Sequence, residues 1–367
     1  MINAEKLLFT LKKKKINFFS GVPDSVLSPF INLLRLNKEK NIICANEGGA
    51  IALGLGYYLS TKKIPLVYLQ NSGLSNAINP LVSVAHEKIY SLPLLLLIGW
   101  RGAPGIKDEP QHVVKGKITK KILKLLKIKN IVINNEGDFK KVEELINYIK
   151  KKNKIGAILV KNNKIYCQKK YLKLNQSNNS LIKRRDAIKI LLERISRKDK
   201  LISTTGYTSR ELFQTRKQYN LKKGKDLYLA GGMGHASMVS LGVSLNNKNN
   251  VICLDGDGSL LMQLGSLIST GFKSSNNFKH ILFNNGSHES VGNHLIDSQK
   301  VNFKYVVKSF GYRNYFICKN KKKFQGILDK FLKSSGPSFF EITIQQGTFE
   351  KLIRPANFKK ILSNFLI

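Results

Sequence analysis

Two hydrophobic patterns alternate along this chain. Short runs of consecutive apolar residues are separated by longer stretches in which apolar positions recur every three or four residues. In the first half the short runs predict strands at Ile42–Ala45, Pro65–Leu69, Leu94–Gly99, Asn130–Ile133 and Gly156–Val160. Helical spacing predicts helices over 48–60, 75–87, 119–127 and 138–151. The second half repeats the alternation, with strands at Leu201–Thr204, Val251–Asp255, His280–Phe283, Tyr315–Ile317 and Ser338–Ile342. Helices are expected there over 184–195, 208–216, 235–245, 259–271 and 321–334. Strands that are apolar on both faces belong in parallel sheets covered by helices, so the fold class is α/β. The polar, Asn- and Ser-rich stretch Gln168–Ser180 reads as a linker between domains at 1–167 and 181–367.

Composition changes this picture little. At 42% hydrophobic residues, 367 residues can bury two cores. The formal charge of +39 invites a nucleic-acid reading, but 52 of the 62 basic residues are Lys, spread over both halves. Runs such as Lys12 to Lys15 and Lys321 to Lys323 lie on or beside amphipathic helices and read as solvated faces. No nucleic-acid partner is expected, although a positive field attracts anions. The four cysteines are scattered without a C-x-x-C spacing, so neither a disulfide framework nor a zinc site is expected. Cys44 and Cys253 fall in apolar runs and are expected to be buried. The longest apolar run, Leu92 to Ile98, contains Pro93 and is too short to span a bilayer. With no signal-peptide core at the N-terminus, a cytoplasmic location without a membrane partner is expected.

The strand at Val251–Asp255 runs directly into Gly256-Asp257-Gly258-Ser259. Parallel α/β sheets bind ligands at the carboxyl ends of their strands. Glycines there admit a phosphate, and a helix starting at Ser259 offers it free N–H groups. Asp257 supplies a hard oxygen of the kind Mg²⁺ prefers. The next strand ends in Asn284-Asn285-Gly286, thirty residues on from Gly256 counted inclusively, and adds an amide oxygen at the same edge.

This paired arrangement resembles the cofactor motif of the thiamine diphosphate-dependent decarboxylases, synthases and transketolases. The resemblance implies two domains of thiamine diphosphate-binding type, each a parallel sheet flanked by helices. The first would bind the pyrimidine and the second the diphosphate. Asp257, the Asn285 side chain and the Ser287 carbonyl would hold Mg²⁺, with Gly256, Gly258 and Ser259 around the diphosphate. In the first half, Asn46-Glu47-Gly48-Gly49-Ala50 follows a strand and opens a small-residue helix. It resembles the family's activating glutamate, a buried acid on the aminopyrimidine ring that drives loss of the C2 proton. Gly232-Met233-Gly234 resembles the segment whose apolar side chain wedges the cofactor into its bent form; the alternative for Met233 is an ordinary core position. Gly206, Thr208 and Ser209 follow a strand and suit a phosphate, with plain helix capping as the alternative.

The short linker leaves no room for the third domain of the large decarboxylases. The chain therefore resembles the compact class that comprises phosphonopyruvate and sulfopyruvate decarboxylases. The likeness rests on Gly21-Val22-Pro23-Asp24-Ser25, Gln70-Asn71-Ser72-Gly73-Leu74 and the loop from Gly99-Trp100-Arg101 to His112. It implies a 2-oxo acid bearing a phosphonate as substrate. Asp24, Ser25 and Asn71 would orient the keto acid, Arg101 and Lys107 would meet the phosphonate, and His112 and His288 would handle protons. Structural hydrogen bonds or loop salt bridges are the alternatives for each. His86 and His280 read as structural. Three departures from the class, Tyr207, Glu289 and Asn293-His294, are expected near the site entrance. The resemblance also implies self-association as a homodimer or larger, with active sites shared between subunits. Rival readings are a sulfopyruvate decarboxylase, a carboligase, and a basic nucleic-acid binder on a decayed fold.

Overall fold

A computed structural model describes residues 1–169, 179–349 and 351–367, in two compact units. The first comprises residues 1–173 and 291–294, the second 174–290 and 295–367. Residues 170–178, the centre of the expected linker, lie outside the described residues.

The first unit holds a six-stranded parallel sheet: β1 Phe18–Gly21, β2 Lys40–Ile43, β3 Leu66–Gln70, β4 Leu94–Trp100, β5 Lys129–Ile133 and β6 Ile155–Lys161, in the order β2-β1-β3-β4-β6-β5. The two-residue period of a strand sorts its side chains between two cores. Tyr68, Leu95, Leu97, Ile158 and Val160 enter one, while Val67, Leu69, Leu94, Leu96, Ile98 and Leu159 enter the other. β4 is buried along its whole length, which is why its sequence is a nearly unbroken run of Leu.

The second unit contains β7 Lys200–Ser203, β8 Lys225–Tyr228, β9 Val251–Gly256, β10 Phe278–Asn284, β11 Asn314–Cys318 and β12 Ser338–Gln345. Their order, β8-β7-β9-β10-β12-β11, repeats that of the first unit, and all these pairs are parallel. The short strand Ile182–Lys183 adds a seventh partner at the end of β12. Ile252, Leu254, Ile281, Phe283 and Phe340 pack on one face; Cys253, Phe278, Leu282 and Phe339 pack on the other. His280 is fully buried, hydrogen-bonded through Nδ1 to the Tyr312 hydroxyl at 3.0 Å and 3.6 Å from Asp255, a structural setting.

Several boundaries differ from the sequence reading. The expected helix over 119–127 begins at Pro110, because proline is well suited to the first helical turn. The loop after β4 therefore ends at Glu109, and His112 is helical. The expected helix 75–87 ends at Ala85, with Pro80 inside it and a wider turn over Leu81–Ala85. The stretch 259–271 is two helices, Asp257–Met262 and Ser266–Lys273, divided near Gly265. Lys321–Lys323 form a 3₁₀ turn before the helix Phe324–Lys333. Cys44 lies just past an edge strand and is only half-buried, whereas Cys253 is buried as expected.

Candidate active site

Hydrogen-bond register aligns Gly256 with Phe283, so β9 and β10 end side by side and release Asp257 and Asn285 at one sheet edge. Asp257 is buried and its carboxylate is fixed on several sides. Oδ2 accepts from the Gly286 N–H and the Ser298 hydroxyl, each at 2.7 Å, and Oδ1 accepts from the Gly258 N–H at 2.9 Å. Gly286 adopts φ +71°, a left-handed turn that glycine takes without strain. Burial pushes the Asp257 carboxyl up to about 6, while these donors and the charge of Arg184 pull the other way. The two asparagines face different partners. Asn284 donates to Glu341 at 2.9 Å and accepts from Ser298 at 3.0 Å. Asn285 instead lines a cleft with Asp257. A carboxylate disfavoured by burial beside an amide oxygen is a donor set that suits a hard dication such as Mg²⁺. Ser287, the third expected ligand, is buried in the same cleft wall.

Gly256, Gly258, Ser259, Thr208 and Met233 also line this cleft. Met233 is half-buried there. Ser259 is tied to Thr204 at 2.7 Å and accepts from the Gly234 N–H at 3.0 Å. Ser209 points elsewhere: its hydroxyl lies 3.0 Å from that of Ser203 and donates to the Thr204 carbonyl at 2.5 Å. Gly206 and Gly232 do not line the cleft; at φ +90° and +66° they turn the chain beside it. His288 packs under Gly258, where an added Cβ would lie 2.4 Å from the imidazole. Burial lowers His288 to about 4, so it is a neutral imidazole and not one poised near pH 7. Two charged groups the sequence reading gave no role in this cleft, Arg184 and Glu289, also line it. Glu289 pairs there with Arg184. The residues are 105 apart, so no local spacing announces them.

In the first unit, Asn46 caps the helix Glu47–Thr61 by accepting from the Gly49 N–H at 2.8 Å. Glu47 is 5% exposed, and Asn76 donates to its Oε2 at 2.8 Å. The absence of a side chain at Gly73 makes room for the carboxyl, because a Cβ there would fall 2.0 Å from Oε1. Burial raises the Glu47 carboxyl above its ordinary range, with Asn76 opposing. This is an acid that keeps its proton closer to neutral pH.

The loop after β4 is held by ion pairing. Arg101 donates to Asp108 through Nε at 2.7 Å and Nη2 at 2.5 Å, and through Nη1 to Ser25 at 3.2 Å. Gly102 and Glu109 N–H groups bind the same carboxylate, each at 2.8 Å, so Asp108 is held well below the usual carboxylate range. Most of the Arg101 fork is thus engaged within the loop. Asn71 is likewise a clamp: its amide donates to the Arg101 carbonyl at 3.0 Å and to Thr119 at 2.9 Å, and accepts from the Arg101 N–H at 3.0 Å. The Trp100 indole donates to the Gly116 carbonyl at 2.9 Å. Asp24 is fully buried; Oδ2 accepts from Val26 and Leu27 N–H groups at 3.1 Å, Oδ1 has no protein partner among the described residues, and burial raises the carboxyl to about 6. Ser25 and Lys107 are exposed. Burial, reinforced by the Arg101 charge, lowers His112 to about 4, so it too is neutral.

Comparison with known proteins covers both halves. The N-terminal TPP binding domain of thiamine pyrophosphate enzymes matches residues 2–124, and their C-terminal TPP binding domain matches residues 204–342. Phosphonopyruvate decarboxylase of Streptomyces viridochromogenes is 30% identical over 97% of this chain and 91% of that protein. The protein of the same description from Streptomyces hygroscopicus is 30% identical over 97% of this chain and 90% of its own length. Sulfopyruvate decarboxylase subunit beta of Methanocaldococcus jannaschii is 35% identical over 35% of this chain and 66% of that subunit.

Proposed function

Because the chain belongs to the thiamine diphosphate-dependent decarboxylase family, we propose that it converts 3-phosphonopyruvate to phosphonoacetaldehyde and CO₂, in phosphonate biosynthesis. The full-length likeness to two phosphonopyruvate decarboxylases is the observation that carries the substrate.

When bound, the cofactor supplies an electron sink for the bond to the departing carboxylate. The residues of this chain supply the rest. Asp257, the Asn285 amide and the Ser287 carbonyl would hold Mg²⁺ against the diphosphate, and Met233 would support the cofactor's bend. The buried Glu47 carboxyl holds a proton for the pyrimidine ring nitrogen and so activates the cofactor. A proton replaces the lost carboxylate on the aldehyde carbon. His112 and His288 would pass it, each imidazole being held neutral by burial. The exposed Lys107 ammonium is the principal cation for the phosphonate. The Arg101–Asp108 pair fixes the loop that carries it, and the Asp24 carboxyl, whose Oδ1 has no protein partner among the described residues, would orient the keto acid.

Self-association as a homodimer or larger, with shared sites, is part of this reading. The methanogen relative is itself described as one subunit of an enzyme. A cytoplasmic location is also proposed; among the described residues no helix is long and apolar enough to cross a membrane. Sulfopyruvate is the second reading, favoured by the methanogen likeness. The test supplies thiamine diphosphate and Mg²⁺ to the purified chain and offers phosphonopyruvate, sulfopyruvate and pyruvate separately. Aldehyde from phosphonopyruvate is expected; aldehyde from sulfopyruvate alone overturns the substrate assignment.

A further inference from the structure

We propose that Arg184 and Glu289 form a positioning pair that turns the Asn285 amide oxygen toward the metal. The proposal rests on the reading above, in which Asn285 is a metal ligand. Arg184 is the first residue of the helix Arg184–Arg194 and is 5% exposed. Its Nη2 donates to Glu289 Oε2 at 2.7 Å, and its Nη1 lies 3.5 Å from Glu211 Oε2. The same Glu289 oxygen accepts from Asn285 Nδ2 at 3.0 Å, while Oε1 takes the Gly347 N–H.

A carboxylate only accepts hydrogen bonds, so the edge of the Asn285 amide that meets Glu289 must be its NH₂. On the other edge Oδ1 accepts from the Ser287 N–H at 3.1 Å, which requires an oxygen there. Two partners of opposite kind therefore forbid the flipped amide. Oδ1 keeps a second lone pair for a cation, and Gln346 fixes the neighbouring backbone by donating to the Asn285 carbonyl at 3.1 Å. Glu289 has three rotatable side-chain bonds, and Arg184, together with the Gly347 N–H, holds its carboxylate in place. The arrangement is the amide counterpart of the outer partners that orient metal-binding imidazoles.

Simple electrostatics makes the opposite forecast for Arg184. Removing a buried positive charge that acts on Asp257 favours a dication in the same cleft. Positioning requires the dication to bind less well. The experiment measures Mg²⁺ affinity calorimetrically on the full chain with saturating thiamine diphosphate, and repeats it with Mn²⁺ by electron paramagnetic resonance. If the unmodified protein takes up cofactor without a divalent metal, the metal-site reading fails before this proposal is reached. If uptake is metal-dependent, Arg184→Met is expected to weaken Mg²⁺ binding about 10-fold or more, the scale of lost outer-shell support. Unchanged or tighter binding overturns the proposal. Where Arg184→Met does not fold, Glu289→Ala decides through a cycle with Asn285→Ala. Each single variant is expected to weaken Mg²⁺ binding, and the double to be no weaker than Asn285→Ala. Effects that multiply in full would show that Glu289 does not act through Asn285, and would overturn the proposal.

Discussion

Gly73→Ala isolates the placement of Glu47 from its chemistry. Gly73 has φ −83°, which alanine adopts freely, so the backbone is not strained by the change. The added methyl would fall 2.0 Å from Glu47 Oε1 and 2.4 Å from its carboxyl carbon. Relief to a separation of about 3 Å requires the carboxyl group to shift by about 1 Å. Glu47 is buried, so a shift of its carboxyl would stretch or break the 2.8 Å bond from Asn76. Misplacement by about 1 Å at a reacting group can lower a rate about 10²-fold, equivalent to about 2.7 kcal/mol in the barrier. The assay is steady-state decarboxylation with saturating thiamine diphosphate and Mg²⁺, with thermal melting of the cofactor-free variant as a control. A kcat within about threefold of the parent in a folded variant would refute the reasoning, because Glu47 would then tolerate displacement.

Three further outcomes follow from the same geometry. Glu47→Gln keeps shape and loses the proton; kcat should fall about 10²- to 10⁴-fold while cofactor affinity, measured by calorimetry, stays near that of the parent. Asp24→Asn keeps an oxygen for the Val26 and Leu27 N–H groups but removes a carboxyl raised to about 6. A raised carboxyl favours the folded state while protonated, and that contribution is lost as pH rises from about 4 through about 6. The variant should therefore gain on the parent across this window, by on the order of 3 kcal/mol at most, and melting curves that differ equally at pH 4 and pH 7 would contradict this. Removing divalent cations with a chelator should release the cofactor and abolish turnover, with both restored by Mg²⁺. Cofactor retained on a desalting column without metal would argue against the roles given to Asp257 and Asn285.

Much of the fold is legible because buried parallel strands write themselves as apolar runs. β4 and β9 are each within one residue of their expected ends for this reason. β8 leaves no such mark because it is an edge strand: Lys-Asp-Leu-Tyr is largely half-buried and carries no apolar run. β1 is fully buried, but its four residues, Phe-Phe-Ser-Gly, hold only two large apolar side chains and make no long apolar run. The paired motif is legible because Asp257 and Asn285 each follow a strand by one residue, and adjacent strands turn sequence position into proximity. Arg101 shows what spacing does not encode. Its residue type fits a phosphonate, yet a carboxylate seven residues on, Asp108, fills the fork. Asn76 and Gly73, which shape the setting of Glu47, are legible only once the chain is folded.

The restraint on Asp257 has a kinetic consequence. Three donors hold its carboxylate, and all come from this chain: Gly286, Ser298 and Gly258. The ordering entropy of that side chain is therefore met once, during folding, and not again at each encounter with ligand. Cofactor capture should accordingly run as a single phase whose rate scales with concentration, without a slow rearrangement of the β9 and β10 ends. Such a site resembles a socket machined before the plug arrives.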